Sequence, residues 1–200
     1  MNQRPLALFD LDMTLADYEG RLRADLDRLA SPGDPPIGPI HGGLPPHIEA
    51  RKHAITSTPG WWLGLDRYQP GWDILGVAVE LGFRIAALSK IPYLPLAAAE
   101  KLQWADRHLT GVPKFKGLTV CHGSKGAFYA RVLVDDWPEY VSDWLRWRPR
   151  GLAILPVHPH NQGFSHPNAI RFDGSNLDEV RTRLEAARDR KVGSTEGDRG

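Results

Sequence analysis

Residues 9–17 read FDLDMTLAD and follow the apolar residues Leu6, Ala7 and Leu8. The run is short and ends abruptly at Asp10, which predicts a buried strand. In an extended chain, residues two apart share a face, so Asp10 and Asp12 project together from the strand's carboxyl end. Open α/β sheets place their chemistry at that end. Two carboxylates so close repel each other unless a cation or a substrate offsets the charge. A metal-holding pair is the first expectation.

Working outward, Leu15, Tyr18, Leu22, Leu26 and Leu29 recur at helical spacing and predict an amphipathic helix ending near residues 31–33. Residues 31–46 hold six prolines and four glycines, which predicts a loop. A short helix over 47–54 and a turn at 58–62 (TPGWW) follow. From residue 70 onward, helices and strands alternate. The pattern predicts a helix over 71–81 stopped by Gly82, a strand over 83–88 ending at Ser89-Lys90, and a helix over 94–109. Next come a short strand at 118–120, a helical turn or two within 125–130, and a strand over 131–134 ending at Asp135-Asp136. A helix over 138–147 with Pro138 in its first turn, a strand over 151–157 and a helix over 177–187 complete the set. Such alternation predicts an α/β, Rossmann-like parallel sheet with helices on both faces. Residues 17–68 interrupt it as a helical cap inserted after the first strand, so the core is discontinuous, 1–16 and 69–190. Residues 191–200 lack an apolar pattern and read as a disordered tail.

Composition narrows the function. Twenty-five Lys and Arg against 24 Asp and Glu leave no general charge for polymeric nucleic acid or a membrane surface. The single cysteine, Cys121, excludes an internal disulfide framework and suits a reducing compartment. The first apolar run is too short for a signal or a membrane span, so a cytoplasmic protein is expected. Seven tryptophans suit core packing first and stacking on a planar ligand second.

Four strand ends finish in polar residues: Asp10/Asp12, Ser89, the Lys125 loop and Asp135/Asp136. A parallel sheet brings them to one edge. Asp10, Asp135 and a backbone carbonyl near Asp12 suffice for a hard cation such as Mg²⁺, while hydroxyl and ammonium groups can hold an anion. Alone, Asp135-Asp136 would read as a solvated turn, Lys125 as a surface lysine and Ser89 as a helix cap. Their combination in one chain carries the information.

That combination resembles the haloacid dehalogenase-like phosphatase superfamily. Asp-x-Asp-x-Thr matches Asp10 to Thr14, the strand-end hydroxyl matches Ser89, the lysine matches Lys125, and the acidic pair matches Asp135-Asp136. Within it the chain is most similar to the 5′(3′)-deoxyribonucleotidases. The cap position, the Pro59-Gly60-Trp61-Trp62 stretch, the ten-residue step from Lys125 to Asp135 and His160-Asn161-Gln162 carry that likeness. Two features depart from it: Ser89 is followed by Lys90-Ile91-Pro92 rather than by proline, and the 31–46 stretch has no counterpart.

The resemblance implies a Mg²⁺-dependent 5′-nucleotidase-type phosphomonoesterase acting on small (deoxy)nucleoside monophosphates. Asp10 would be the nucleophile and Asp12 the general acid and base. Mg²⁺ would be held by Asp10, the Asp12 carbonyl and Asp135. Ser89, Lys125 and N–H groups near Met13 would bind phosphate, with Asp136 orienting ligands or waters around the metal. Thr14 would hydrogen-bond within its own loop. Trp61, Trp62 and Lys90 are the candidates for base and substrate recognition, with cap packing as the alternative for the tryptophans. A homodimer is left open.

Other signals weigh less. His158, His160 and His166 lie among prolines without cysteine or carboxylate partners, so they read as a loop rather than a transition-metal site. Arg146, Arg148 and Arg150 beside Trp144 and Trp147 fit a solvated helix better than a single-strand-binding face. Residues 123–126 lack the order of a P-loop. A phosphatase for another small metabolite is the nearest alternative. A phosphoacceptor receiver or interaction domain is further off, since a durable phosphoaspartate is poorly served by a base two residues away.

Overall fold

The apolar run that opens the chain becomes the middle of a sheet. In the computed structural model, which describes residues 4–41, 43–92 and 94–191, β1 (Leu6–Phe9) is the strand on which the sheet reverses its order. It pairs in parallel with β2 (Arg84–Lys90) on one side and β4 (Val132–Val134) on the other. β3 (Phe115–Cys121) extends the sheet beyond β2, and β5 (Leu152–Pro156) and β6 (Ala169–Phe172) extend it beyond β4. All pairs are parallel, in the order β3-β2-β1-β4-β5-β6. The chain winds outward in opposite directions from β1, and the carboxyl end of such a switch strand is where a crevice forms.

Strand residues alternate between two apolar clusters, as a pleated strand with both faces covered requires. Ala7, Phe9, Val132, Val134, Leu152 and Ile154 belong to one cluster, with the apolar sides of α3 (Gln69–Glu80), α4 (Pro95–Leu109) and α6 (Leu177–Asp189). Leu8, Leu133, Ala153 and Leu155 belong to the other, with Val141, Trp144 and Leu145 of α5 (Pro138–Trp147). Each large apolar side chain buried this way contributes about 2–3 kcal/mol. α3, α4 and α5 each start with proline in the first turn, where its fixed φ helps and its missing N–H costs nothing. Gly82 closes α3 at φ +84°, the left-handed conformation that glycine adopts freely.

Between β1 and α3 lie α1 (Tyr18–Arg28) and α2 (Pro46–Thr56). Leu22, Leu26, Ile48, Trp61 and Trp62 of this insertion belong to the same apolar cluster as α3, α4 and α6. The described residues of the 31–45 stretch form no helix or strand, as their prolines predict, yet Ile40 is buried in that cluster.

The sequence expectations differ from the structure in four places. α1 begins at Tyr18, because Leu15 belongs to the turn after β1 rather than to the helix. β2 runs on through Ser89 and Lys90, and β3 is seven residues long rather than three, because both pair along their length. β6 was not expected at all. Of the expected tail, residues 192–200 lie outside the described residues. Among the described residues no helix is long and apolar enough to cross a membrane.

Candidate active site

The turn after β1 is closed by its own backbone. Asp10 N–H donates to Val134 O at 2.8 Å, one residue beyond the β1–β4 pairing. Thr14, Leu15 and Ala16 N–H groups then converge on Leu11 O at 3.1, 2.7 and 2.7 Å. Met13 takes φ +61°, a left-handed conformation costing roughly 1–2 kcal/mol for a residue with a Cβ. Gly71 at the start of α3 permits the contact that braces this turn, since a Cβ there would meet Thr14 O at 1.6 Å. Met13 N–H donates to Ala16 O at 2.9 Å, so the expectation that it binds phosphate is corrected. Among the described residues nothing accepts from the N–H groups of Leu11 and Asp12. Those two are the donors this turn presents. Thr14 bonds within its own loop through its N–H, while its hydroxyl lies 3.4 Å from Asp136 Oδ1 and ties the first motif to the last.

Lys125, in a 3-10 turn (Lys125–Ala127), is buried between two carboxylates, 2.7 Å from Asp10 Oδ1 and 2.6 Å from Asp135 Oδ2. The Asp10 contact is an ion pair outside hydrogen-bond alignment, whereas the Asp135 contact is a hydrogen bond. Burial opposes the charge on Lys125, but the two carboxylates outweigh it and push its pKa up. Asp135 Oδ1 also accepts from Trp137 N–H at 3.0 Å. Asp10 is pushed up to about 8, first by burial and then by Asp135, Asp12 and Asp136, with Lys125 only partly offsetting them. Burial pushes Asp135 up as well.

The donor set fits a hard cation. Carboxylate oxygens of Asp10, Asp135 and Asp136 lie within 4.8 Å of one another, and Asp12 Oδ1 is buried with no hydrogen-bond partner. An all-oxygen, acidic and under-compensated cluster is the chemistry that Mg²⁺ takes. Asp136 stands inside this group, closer to a ligand's place than the orienting role expected of it.

Two contributors had no role assigned from the sequence. Lys101 of α4 is buried, with Nζ 2.5 Å from Asp12 Oδ2, 2.9 Å from Lys90 O and 3.2 Å from Ser89 Oγ. Ser89 is thereby joined to Asp12 through Lys101, fully buried, with its hydroxyl donating to Lys90 O at 3.1 Å. The second contributor is the loop after β5. His158 Nε2 lies 2.7 Å from Met13 O, and Asn161 Nδ2 donates to Asp136 O at 2.9 Å and Pro156 O at 2.8 Å. His160 Nε2 pairs with Asp136 Oδ2 at 2.9 Å. Burial lowers the pKa of His158, while for His160 the Asp136 hydrogen bond and charge overcome burial and raise it. This loop clamps the backbones of both acidic motifs.

A cavity of about 440 Å³ opens onto Asp10, Asp12 and Lys125, within the range that holds small ligands. Tyr18, Trp62, Trp137 and Tyr140 line it, with Lys52, Lys90, His41 and His122. His41, from the proline-rich stretch, lies edge-on to Trp137 and His160, both at 5.1 Å. Trp61 does not line the cavity; its Nε1 donates to Asp25 Oδ2 at 2.8 Å inside the insertion. The expected base contact by Trp61 is therefore corrected to a packing role. Trp62 does line the cavity, but its ring is stacked on Tyr18 at 5.4 Å and approached by Lys101 Nζ at 4.8 Å. Lys90 Nζ sits over Tyr140, 4.6 Å from the ring centroid.

No family model and no curated protein matches the chain. Solved structures do. A HAD family hydrolase from Deinococcus radiodurans R1, with bound phosphate and sodium, is 18% identical at a TM-score of 0.58, over 92% of this chain and 96% of that one. A protein from Bacteroides vulgatus assigned as a β-phosphoglucomutase is 14% identical at a TM-score of 0.52, over 94% and 91% of the two chains. The six-stranded parallel sheet with helices on both faces is therefore the fold of the haloacid dehalogenase-like hydrolases.

Proposed function

We propose that the protein is a Mg²⁺-dependent phosphomonoesterase of the 5′-nucleotidase type, hydrolysing (deoxy)nucleoside monophosphates through an aspartyl-phosphate. The observation that carries this reading is Lys125, buried between Asp10 and Asp135, with Asp12 beside them on the same cavity. The phosphate bound to the D. radiodurans protein of the same fold supports it.

Asp10 attacks phosphorus, the bond to the leaving oxygen breaks, and Asp12 delivers a proton to that oxygen. Water then attacks the aspartyl-phosphate while Asp12 takes its proton, so phosphate leaves and Asp10 is regenerated. The Leu11 and Asp12 N–H groups and the Lys125 ammonium supply donors to the transferring oxygens, and the Ser89 hydroxyl would join them by turning away from Lys90 O. Asp10, Asp135 and the Asp12 carbonyl would hold Mg²⁺, with Asp136 in reach of the same group. Bound there, Mg²⁺ offsets charge between carboxylate and phosphate. The insertion acts as a cap, and Trp137, at the cavity wall and packed edge-on by His41, is the aromatic surface nearest to hand for a planar base, while Tyr140 already carries Lys90 over its ring.

One observation favours a second reading, a phosphatase for another small metabolite. Trp61 is withdrawn and Trp62 is already engaged, while Lys52 and Lys90 line the wall and suit a substrate with a further anionic group. Phosphate release with Mg²⁺ over ribo- and deoxynucleoside monophosphates, sugar phosphates and sugar bisphosphates separates the two. The nucleotide reading expects kcat/KM for nucleotides to lead by about tenfold or more. A sugar bisphosphate in the lead replaces it, and release from no phosphomonoester contradicts both.

A further inference from the structure

Two adjacent residues of α4 hold two parts of the cavity lining, the turn that carries Trp62 and the carboxylate of Asp12. Consecutive side chains leave a helix roughly 100° apart, and here one faces the insertion and the other faces the carboxylates. Glu100 is buried, and its carboxylate accepts from the backbone N–H groups of Gly60 at 2.6 Å, Trp62 at 3.1 Å and Leu63 at 3.4 Å. One charged acceptor thereby fastens the whole turn that carries Trp62.

Lys101 has three ammonium hydrogens and three acceptors, Asp12 Oδ2, Lys90 O and Ser89 Oγ. No hydrogen is left for a substrate. The side chain is 2% exposed, and the Trp62 ring lies 4.8 Å from its Nζ. Lys101 can therefore act on the reaction only through the groups it holds. It fixes one oxygen of Asp12, while Oδ1, the other, is buried without a hydrogen-bond partner.

We infer that Lys101 is a positioning residue for the proton-transferring carboxylate, and that Glu100 sets Lys101 by seating Trp62 over it. The inference rests on the phosphomonoesterase reading above. With Oδ2 held by Lys101, the Asp12 carboxylate keeps one orientation at the cavity. With the clamp gone, the carboxylate rotates, so proton delivery suffers while attack by Asp10 does not. The seated turn and the competent acid are thereby one arrangement rather than two.

The leaving group tests this. A sugar hydroxyl needs a proton as it departs, whereas p-nitrophenolate leaves without one, and kcat/KM reports only steps up to that departure. Lys101→Met, Lys101→Arg and Glu100→Gln would be assayed with Mg²⁺ on a deoxynucleoside monophosphate and on p-nitrophenyl phosphate. Lys101→Met is expected to lower kcat/KM about 100-fold on the nucleotide and less than about fivefold on p-nitrophenyl phosphate. Lys101→Arg should recover part of the loss, and Glu100→Gln should show the same split more weakly. If Lys101→Met does not fold, the split in the other two variants decides. Equal losses on both substrates, or no loss, overturn the inference while leaving the phosphatase reading intact. A wild-type chain that releases phosphate from no phosphomonoester overturns both.

Discussion

Asp10 and Asp25 are both buried aspartates, and the molecule treats them in opposite ways. Asp25 on α1 accepts from Arg21 Nε at 2.8 Å, Arg28 Nη2 at 3.0 Å and Trp61 Nε1 at 2.8 Å. Burial works against its charge, but those bonds and the two guanidinium groups outweigh it and hold its carboxyl below the usual range. Asp10 is buried, shares its cation, Lys125, with Asp135 and faces two further carboxylates, Asp12 and Asp136, so its pKa rises. A fully partnered carboxylate stabilises the fold where it stands. An under-partnered one is kept for a cation, a substrate or a bond still to form.

Exchanging the two charges for amides gives the strongest test of that contrast. Asp10→Asn should lower kcat roughly 10⁴-fold while the melting temperature holds or rises, because one charge leaves a crowded cluster. Asp25→Asn should do the reverse, leaving kcat near wild type while costing about 1–3 kcal/mol of stability by denaturant titration. Loss of turnover in Asp25→Asn without loss of stability would break the comparison.

The two acids also predict opposite pH responses. A depressed folded-state pKa gives Asp25 a stabilising contribution that is present above 3.8, its ordinary value, and lost as pH falls below it. The raised pKa of Asp10 works the other way. The folded state binds that proton more tightly, so the contribution is present below 3.8 and lost as pH rises toward about 8. Without divalent cations, melting temperature should fall across the upper part of that interval, and the gain on adding Mg²⁺ should grow over it. Asp10→Asn should flatten both trends. A Mg²⁺ gain independent of pH would contradict the crowded-carboxylate account.

The smallest effect sharpens the boundary between packing and site. Trp61→Phe keeps the ring but removes the donor to Asp25, costing about 1 kcal/mol with KM unchanged. Trp137→Ala should raise KM with little change in stability. A rise in KM for Trp61→Phe would return that side chain to the substrate.

The same logic explains what was legible in the chain. β1, β2 and β4 could be read because each is an apolar run that stops at a polar residue, and those stops are Asp10, Ser89-Lys90 and Asp135. β6 could not, because four residues that include an exposed Arg171 and pair only with β5 leave little pattern. Lys101 was missed because a lysine within a helix reads as solvated. The available signal was its place on the buried stripe of Ala97, Trp104 and Ala105, three and four residues away. The loop at His158 and Asn161 carries part of the resemblance, but its role is not legible because its partners, Met13 O and Asp136 O, are backbone atoms distant in sequence. Side-chain chemistry on one strand end can be read locally. The clamps that hold it are made across the fold.

The central claim is that Asp10 forms the covalent bond to phosphorus, and a rapid acid quench tests it most directly. The chain would be mixed with Mg²⁺ and the best substrate of the release panel, quenched within a turnover and digested for peptide mass spectrometry. The account predicts a phosphoryl group on the peptide containing Asp10, absent from Asp10→Asn. Phosphate release with no modified peptide, or with the group on another residue, would contradict it.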